Sequence, residues 1–171
     1  IGIGLTGGIA SGKSTIAGHI RAAGWPVVDA DHLAKEAIAP GTAGAQQVAA
    51  QFGDAVLGPD QEIDRDRLRS LVFADDSKRR ELEKIVYAQL PQQLGSWLRD
   101  QGLMATPRPW FYEAALLVEK QRTKDFREIW LVHCKEGDQR ERLQRRGLSP
   151  DQIDAVLAAQ STVAEKWDYA D

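Results

Sequence analysis

The sequence has little of what disulfides, metal centres and membrane spans require. Its one cysteine, Cys134, excludes an internal disulfide and fits a reducing compartment. The three histidines are not spaced as metal ligands. No apolar run approaches the roughly 20 residues that cross a bilayer, and the apolar start over Ile1–Leu5 is too short for a signal peptide. These absences predict a cytoplasmic location.

The sequence also lacks an excess of basic residues. Its 171 residues include 22 basic and 25 acidic ones, which gives a net charge of −3. We therefore expect neither nucleic acid nor a membrane as the main partner. The 43% hydrophobic and 27% charged residues are typical of one globular domain over residues 1–171. The absent initiator methionine and the abrupt end at Asp171 are compatible with a trimmed version of a longer protein.

The first part of the chain alternates strand and helix patterns. Ile1–Leu5 is short, apolar and followed by glycines, as is typical of a buried parallel strand. A helix is predicted over Lys13–Ala23, ending at Gly24. A second strand over Pro26–Asp29 and a second helix over 31–38 follow. This alternation predicts an α/β fold with a parallel sheet.

A helical block interrupts that pattern. Residues 42–102 contain no convincing strand and predict three helices, over Thr42–Phe52, Asp64–Phe73 and Ser77–Gln101, the last broken or bent near Pro91. We interpret this block as a helical subdomain. The α/β core then comprises residues of about 1–41 and 103–171.

The end of the chain returns to the α/β pattern. Strands are predicted over Trp110–Tyr112 and Ile129–Val132, and a helix over Asp138–Arg146. Ser149, followed by proline and, three positions on, by glutamine, predicts the start of a final helix. That helix is expected to carry the apolar residues Ile153, Val156, Leu157 and Trp167.

A phosphate-binding loop is predicted over Gly7–Ser14, where two glycines four residues apart precede Lys13 and Ser14. Glycines let the backbone turn its N–H groups toward phosphates, and the following helix adds its positive dipole end. We expect Lys13 to reach the terminal phosphates of ATP and Ser14 to bind Mg²⁺. An incidental glycine-rich turn is the alternative, but the preceding strand and the following helix favour the loop. The predicted nucleotide-binding residues are Gly8, Ile9, Ala10, Ser11, Gly12, Lys13, Ser14 and Thr15.

An acidic pair, Asp29 and Asp31, follows the second predicted strand. The carboxyl ends of parallel strands line the edge where ligands bind. If the strand persists, the two aspartates face one way and Ala30 the other. One carboxylate could accept a proton from an acceptor hydroxyl while the other orients the substrate or holds water around Mg²⁺. The alternative is that Asp31 only caps the helix that follows.

Four arginines crowd the predicted helix over Asp138–Arg146 and its end: Arg140, Arg142, Arg145 and Arg146. Arg142 and Arg146 are four residues apart and share a helix face. Arginines on a closing helix could stabilise the charge that develops during phosphoryl transfer. A solvated helix face is the alternative interpretation.

Taken together, these residues resemble the dephospho-coenzyme A kinase family. The resemblance rests on Leu5–Thr15 and Val28–Asp31 at the family's spacing. It continues through Pro40–Gly41, Phe52–Gly53, Leu68, Val72–Phe73, Leu116–Glu119, Gln139, Arg142, Arg146 and Ala159–Gln160. It implies a P-loop core that binds ATP, a helical subdomain over about 42–102 for the coenzyme A precursor, and an arginine-bearing lid over about 138–150.

The resemblance also implies roles for individual residues. Asp31 corresponds to the base that takes the proton from the ribose 3′-hydroxyl, Arg142 to the lid arginine that contacts ATP, and Arg146 is a weaker candidate. Lys13, Asp31 and Arg142 are thus the expected catalytic residues. The expected substrate-binding residues are Asp29, Asp31, Tyr87, Glu113 and Leu116.

The chain departs from the family pattern on the substrate side. Tyr87–Ala88 stands where the family commonly has His-Pro, and Glu113–Ala114–Ala115 where it commonly has Asp-x-Pro. Glu113 keeps a carboxylate on a longer arm. The family also continues beyond the position of Asp171 with a strand and an Asn-Gly turn near the nucleotide base.

The leading hypothesis is an ATP-dependent kinase of dephospho-coenzyme A, with Mg²⁺ as cofactor, a small-molecule substrate and no obligatory protein partner. A P-loop kinase that acts on a nucleotide or sugar hydroxyl is the second hypothesis. A non-catalytic nucleotide-dependent switch is the third, although the sequence shows neither a guanine-reading segment nor an Asp-x-x-Gly loop.

Overall fold

A computed structural model describes residues 1–171 and confirms the α/β class. The strands are β1 (Gly2–Thr6), β2 (Val27–Asp29), β3 (Trp110–Glu113) and β4 (Glu128–Leu131). The α-helices are α1 (Lys13–Ala22), α2 (Ala30–Ala37), α3 (Ala43–Phe52), α4 (Arg65–Ala74), α5 (Asp76–Asp100), α6 (Glu136–Arg145), α7 (Pro150–Ala158) and α8 (Val163–Trp167). The chain divides into two compact units, one of Ile1–Ala30 with Thr106–Asp171 and one of Asp31–Ala105.

The first unit is built on a four-stranded sheet in the order β2-β3-β1-β4. All of its strand pairs are parallel, as the sequence predicts. β1 pairs with both β3 and β4 and is buried from Ile3 to Thr6, which explains its apolar composition. Because the strands run the same way, their carboxyl ends lie at one edge of the sheet. At that edge lie Thr6, Asp29 and Glu113, which are the last residues of β1, β2 and β3, together with the segments that follow them.

The end of this unit differs from the prediction. The expected single final helix is wrong, because α7 ends at Ala158 and a separate helix, α8, begins at Val163. Thr162 starts α8 with a capping box, in which its hydroxyl accepts from the N–H of Glu165 and the Glu165 carboxylate accepts from the N–H of Thr162. The predicted capping box at Ser149 is confirmed.

The second unit is helical and contains α3, α4, α5 and nearly all of α2. Its core is formed by Val48, Val56 and Leu68. Partly buried side chains surround that core: Ile38, Phe52, Ile63, Leu71, Val72, Leu82 and Ile85. This unit begins at Asp31, earlier than the predicted start near 42, and its core takes in Ile38 directly after α2.

The longest helix, α5, is continuous through Pro91, so of the two predicted outcomes, a break or a bend, the break does not occur. A proline inside a helix removes one backbone hydrogen bond, and the remaining bonds of this long helix hold it together. No helix of the protein combines the length and the apolar character needed to cross a membrane.

Candidate active site

The phosphate loop joins β1 to α1 through backbone conformations that constrain its residues. Ala10 and Gly12 lie in the left-handed region, with φ values of 57° and 100°. A Cβ atom on Gly7 would collide with the carbonyl oxygen of Val132, which follows β4. The loop therefore passes so close to the neighbouring strand that only glycine fits at position 7.

The hydrogen bonds of the loop leave a group of N–H donors for a ligand. The N–H of Ser11 donates to the carbonyl of Gly8 at 3.1 Å, and that of Thr15 to the carbonyl of Gly12 at 3.0 Å. The N–H of Ile9 donates to the side chain of Gln160 at 2.8 Å. Among the loop N–H groups without a protein acceptor are those of Ala10, Gly12, Lys13 and Ser14. With the positive end of the α1 dipole, they form a cradle for an anion.

A buried carboxylate, Glu113, lies beside this cradle at the end of β3. Its Oε1 atom accepts from Nζ of Lys13 at 2.9 Å and from Oγ of Ser14 at 2.8 Å. Its Oε2 atom accepts from the guanidinium of Arg21 at 3.2 Å. The side chain of Glu113 is only 3% exposed, whereas that of Arg21 is 43% exposed. Glu113 thus fixes both functional side chains of the loop motif.

The pKa of Glu113 lies below its ordinary value of 4.5. Burial is the largest single influence and raises this pKa, because it disfavours the charged form. The hydrogen bonds from Lys13 and Ser14, the charge of Lys13 and the hydrogen bond from Arg21 together outweigh burial. The carboxylate is therefore ionised at neutral pH.

The first unit brings two predicted acidic residues to the same sheet edge. Asp29 is the register partner of Glu113 across β2 and β3, so their side chains share a face. Leu116 lies in the turns after β3 and is partly exposed. The strand does not persist to Asp31, because β2 ends at Asp29 and α2 begins at Ala30, so the condition for the two aspartates to face one way is not met.

The remaining substrate-side predictions lie in the helical unit. Asp31 stands in the first turn of α2, where the helix dipole favours a negative charge. Tyr87 lies on α5 with 39% of its surface exposed.

The four arginines of the α6 region have different environments. Arg140 pairs with Glu136 at 2.8 Å and with Asp154 at 2.6 Å, and Arg145 pairs with Glu141 at 2.6 Å. These pairs fit the interpretation of a solvated face. Arg142 instead donates from a terminal nitrogen to the carbonyl of Ala10 in the phosphate loop, at 2.8 Å. The side chain of Arg146, at the end of α6, forms no hydrogen bond or ion pair.

Several contacts of the site carried no clear signal in the sequence. Arg21 lies two turns beyond Lys13, and nothing in the sequence links it to Glu113. Lys166 is 1% exposed, donates to the carbonyl of Ala115 at 3.0 Å and pairs with Glu119 at 2.8 Å. It thereby fixes the segment that follows β3. The capping box of Thr162 and Glu165 is a local sequence signal for the start of α8, which carries Lys166.

The protein atoms alone do not form a complete metal centre, since no group of three or more His, Cys, Asp or Glu residues is arranged to hold an ion. The hydroxyl of Ser14 and the carboxylate of Glu113, 2.8 Å apart, are oxygen donors of the kind that Mg²⁺ prefers. Because Mg²⁺ in nucleotide sites takes most of its ligands from phosphates and water, this small donor set fits it.

Comparisons with known proteins agree on one family. The sequence model of the family described as dephospho-CoA kinase matches residues 1–171. A dephospho-CoA kinase of Anaeromyxobacter dehalogenans is 45% identical over 99% of this chain and 80% of its own length. One from Parasynechococcus marenigrum is 42% identical over 99% of this chain and 84% of its own length. A crystal structure from Thermus thermophilus, 32% identical, superposes with a TM-score of 0.81 over 99% of this chain and 85% of that one.

Proposed function

Because this chain belongs to the dephospho-CoA kinase family, we propose that its phosphate loop holds ATP while Asp31 activates the ribose 3′-hydroxyl of dephospho-CoA. Members of this family are phosphotransferases that use ATP to phosphorylate dephospho-CoA, which forms coenzyme A. The observation that carries the residue assignment is the cradle of four unbonded N–H groups beside Lys13 and Ser14.

The loop binds the phosphates of ATP through backbone and side chain together. The N–H groups of Ala10, Gly12, Lys13 and Ser14 donate to phosphate oxygens, and the ammonium of Lys13 adds a positive charge. Lys13 and Arg21 carry two positive charges against the one negative charge of Glu113. The ammonium of Lys13, next to the cradle, favours an anion at this position.

Asp31 takes the proton of the attacking hydroxyl, and Asp29 orients the acceptor. This assignment is supported by the position of Asp29 at the carboxyl end of β2 and by the two-residue step from Asp29 to Asp31 along the chain. A general base aligned with the hydroxyl contributes both orientation and proton transfer. Tyr87, Glu113 and Leu116 are proposed to contact the coenzyme A precursor.

Arg142 stabilises the negative charge on the transferred phosphate, with Arg146 in support. Arg142 already lies against the loop through the carbonyl of Ala10, and Arg146 has no competing ion pair. An arginine delivered by a lid segment over about 138–150 excludes water and offers a planar, multidentate donor. Neither Arg140 nor Arg145 is assigned this role, because both are held by carboxylates.

Mg²⁺ is the proposed metal cofactor, held by the hydroxyl of Ser14 with the carboxylate of Glu113 close by. Bound there, it would neutralise charge on the terminal phosphates. We also infer a cytoplasmic enzyme that needs no nucleic acid, membrane or protein partner. The net charge of −3 and the single cysteine support that inference.

The test is a panel of acceptor hydroxyls assayed with ATP and Mg²⁺, comprising dephospho-CoA, nucleosides and sugars. We expect turnover with dephospho-CoA and little with the others. Asp31→Asn is expected to lower kcat by about 10²- to 10³-fold while leaving ATP affinity nearly unchanged, since it removes the base but not the loop. Asp168→Asn, at an exposed position of the first unit, is the control. An unchanged kcat in Asp31→Asn would remove Asp31 from the mechanism, and preference for another acceptor would reject the substrate.

A further inference from the structure

Two glutamine side chains hold the backbone of Ile9 in the phosphate loop. The Nε2 atom of Gln139 donates to the carbonyl of Ile9 at 2.8 Å, and the Oε1 atom of Gln160 accepts from the Ile9 N–H at 2.8 Å. Gln139 lies on α6 and is 8% exposed, whereas Gln160 follows the end of α7. Two separate segments of the chain therefore fix one loop residue.

The polarity of the two contacts is set by the backbone. A backbone N–H only donates and a carbonyl only accepts, so the two amide groups must present opposite ends to Ile9. Both amides fill the space beside Gly8, because a Cβ there would lie 2.9 Å from Nε2 of Gln139 and 3.7 Å from Oε1 of Gln160. The absence of a side chain at position 8 thus makes room for both contacts.

These contacts belong to a pattern that orients the whole loop. The carbonyls of three successive residues have protein donors: Gly8 accepts from the Ser11 N–H, Ile9 from Gln139 and Ala10 from Arg142. The N–H of Ile9 donates to Gln160, so it is not one of the N–H groups that can bind phosphate. Backbone N–H groups bind an anion only when they converge on it, and fixed carbonyls prevent the loop from rotating away.

We propose that Gln139 and Gln160 are positioning residues that fix Ile9 and so preset the loop for the phosphates of ATP. The proposal rests on the proposed function, in which the loop binds ATP. Neither side chain contacts the transferred phosphate, so neither is catalytic. The pair acts on nucleotide affinity by preparing the loop before ATP arrives.

The first test measures the dissociation constant for ATP in Gln139→Met and Gln160→Met, which keep side-chain length and lose the amide. Each is expected to weaken ATP binding by about tenfold, because a loop hydrogen bond is lost and a polar group is left unsatisfied. KM for ATP should rise more than kcat falls. Gln144→Met, on the exposed face of α6, is the control and should bind normally. Affinities equal to that control in both variants would overturn the proposal.

The second test compares Gln139→Glu with Gln160→Glu, which add the same negative charge beside the same residue. A carboxylate at position 160 still accepts from the Ile9 N–H. A carboxylate at position 139 has no hydrogen to donate to the Ile9 carbonyl and repels its oxygen. We expect Gln139→Glu to bind ATP at least about tenfold more weakly than Gln160→Glu. Equal affinities would show that the polarity of the contacts does not matter, and would reject the positioning role.

A third measurement needs no nucleotide and separates this proposal from the proposed function. Amide hydrogen exchange at Ile9 should be slow in the wild type and in Gln160→Glu, and fast in Gln160→Met. Fast exchange in the wild type would overturn the Ile9 contacts even if the enzyme binds ATP normally. Failure of the wild type to bind ATP would reject the proposed function. Slow exchange of the Ile9 amide in that same protein would still support the contacts of Gln139 and Gln160 with Ile9. If Gln139→Met fails to fold, the partly exposed Gln160 variants decide.

Discussion

Glu113 is the residue on which the charges of the nucleotide site depend. It accepts hydrogen bonds from Lys13 and Ser14 at the start of α1 and from Arg21 near the end of the same helix. A buried carboxylate is costly unless it is paired and hydrogen-bonded, and here both oxygens are satisfied. The same contacts set the direction of the Lys13 side chain, so one residue serves both stability and ligand binding.

Replacing this carboxylate should destabilise the protein. Glu113→Gln is expected to lower the free energy of unfolding by about 2–4 kcal/mol at neutral pH, since it leaves Lys13 without its counter-charge. The loss stays below that of a fully buried ion pair because Arg21 is 43% exposed and screened by solvent. Urea denaturation measures the change, with the exposed Glu36→Gln as control. A loss no larger than in the control would mean that the tether contributes no stability.

The same comparison has a defined pH dependence. The pKa of Glu113 is lowered in the folded protein from its ordinary value of 4.5, so its pairing stabilises the fold above that value. The contribution is lost as the pH falls through the lower, folded-state pKa. The stability difference between the wild type and Glu113→Gln should therefore be largest near neutral pH and shrink below pH 4.5. A difference that stays constant down to pH 3 would contradict the lowered pKa.

At the scale of elements, the β1–loop–α1 segment contains one glycine that has no room for a side chain and one that has. A side chain at Gly7 would meet the backbone of Val132, whereas one at Gly18, inside α1, would meet nothing within 4 Å. Gly7→Ala should therefore lower the free energy of unfolding by at least about 2 kcal/mol and abolish ATP binding. Gly18→Ala should raise it by about 0.5–1 kcal/mol, because alanine favours the helix. Thermal unfolding checks both, and similar effects in the two variants would contradict the close approach at Gly7.

The elements with strong local signals were predictable from sequence. The phosphate loop was found because its residues are contiguous, and the start of α7 because Ser149, proline and Gln152 form a recognisable cap. The end of β2 at Asp29 and the helix that follows it were also predicted, to within one residue at the start of α2. The break before α8 was missed although Thr162 and Glu165 form a visible capping box.

The contacts of the site were harder to predict because they join residues far apart in the chain. Lys13 and Glu113 are 100 residues apart, and Ile9 and Gln160 are 151 apart. Local periodicity indicates helices and strands but not which side chains meet at a sheet edge. Only the strand order β2-β3-β1-β4 brings Glu113 beside the loop, and no pattern within the chain specifies that order.

At the scale of the whole molecule, the helical unit has the features of an independent folding unit. It is one continuous stretch, Asp31–Ala105, and its core of Val48, Val56 and Leu68 lies entirely within it. We expect a fragment of residues 31–105 to show a helical circular dichroism spectrum and cooperative thermal unfolding. The other unit is made of two separate stretches, Ile1–Ala30 and Thr106–Asp171. A fragment of residues 1–30 alone is therefore the matched control and is expected to be unfolded. A fragment 31–105 without a cooperative transition would contradict this independence.

The central position of β1 has a consequence for synthesis on the ribosome. β1 and the phosphate loop emerge before β3 and β4, yet Gly2 pairs with Trp110 and Ile3 with Glu128. At translation rates of about 5–20 residues per second, the nascent strand waits roughly 5–20 s for its first partner. During that interval the contiguous helical stretch can fold while an apolar strand remains exposed. Nucleotide binding thus has to wait for β3 and β4, and chaperone protection of Gly2–Thr6 should matter most before β3 appears.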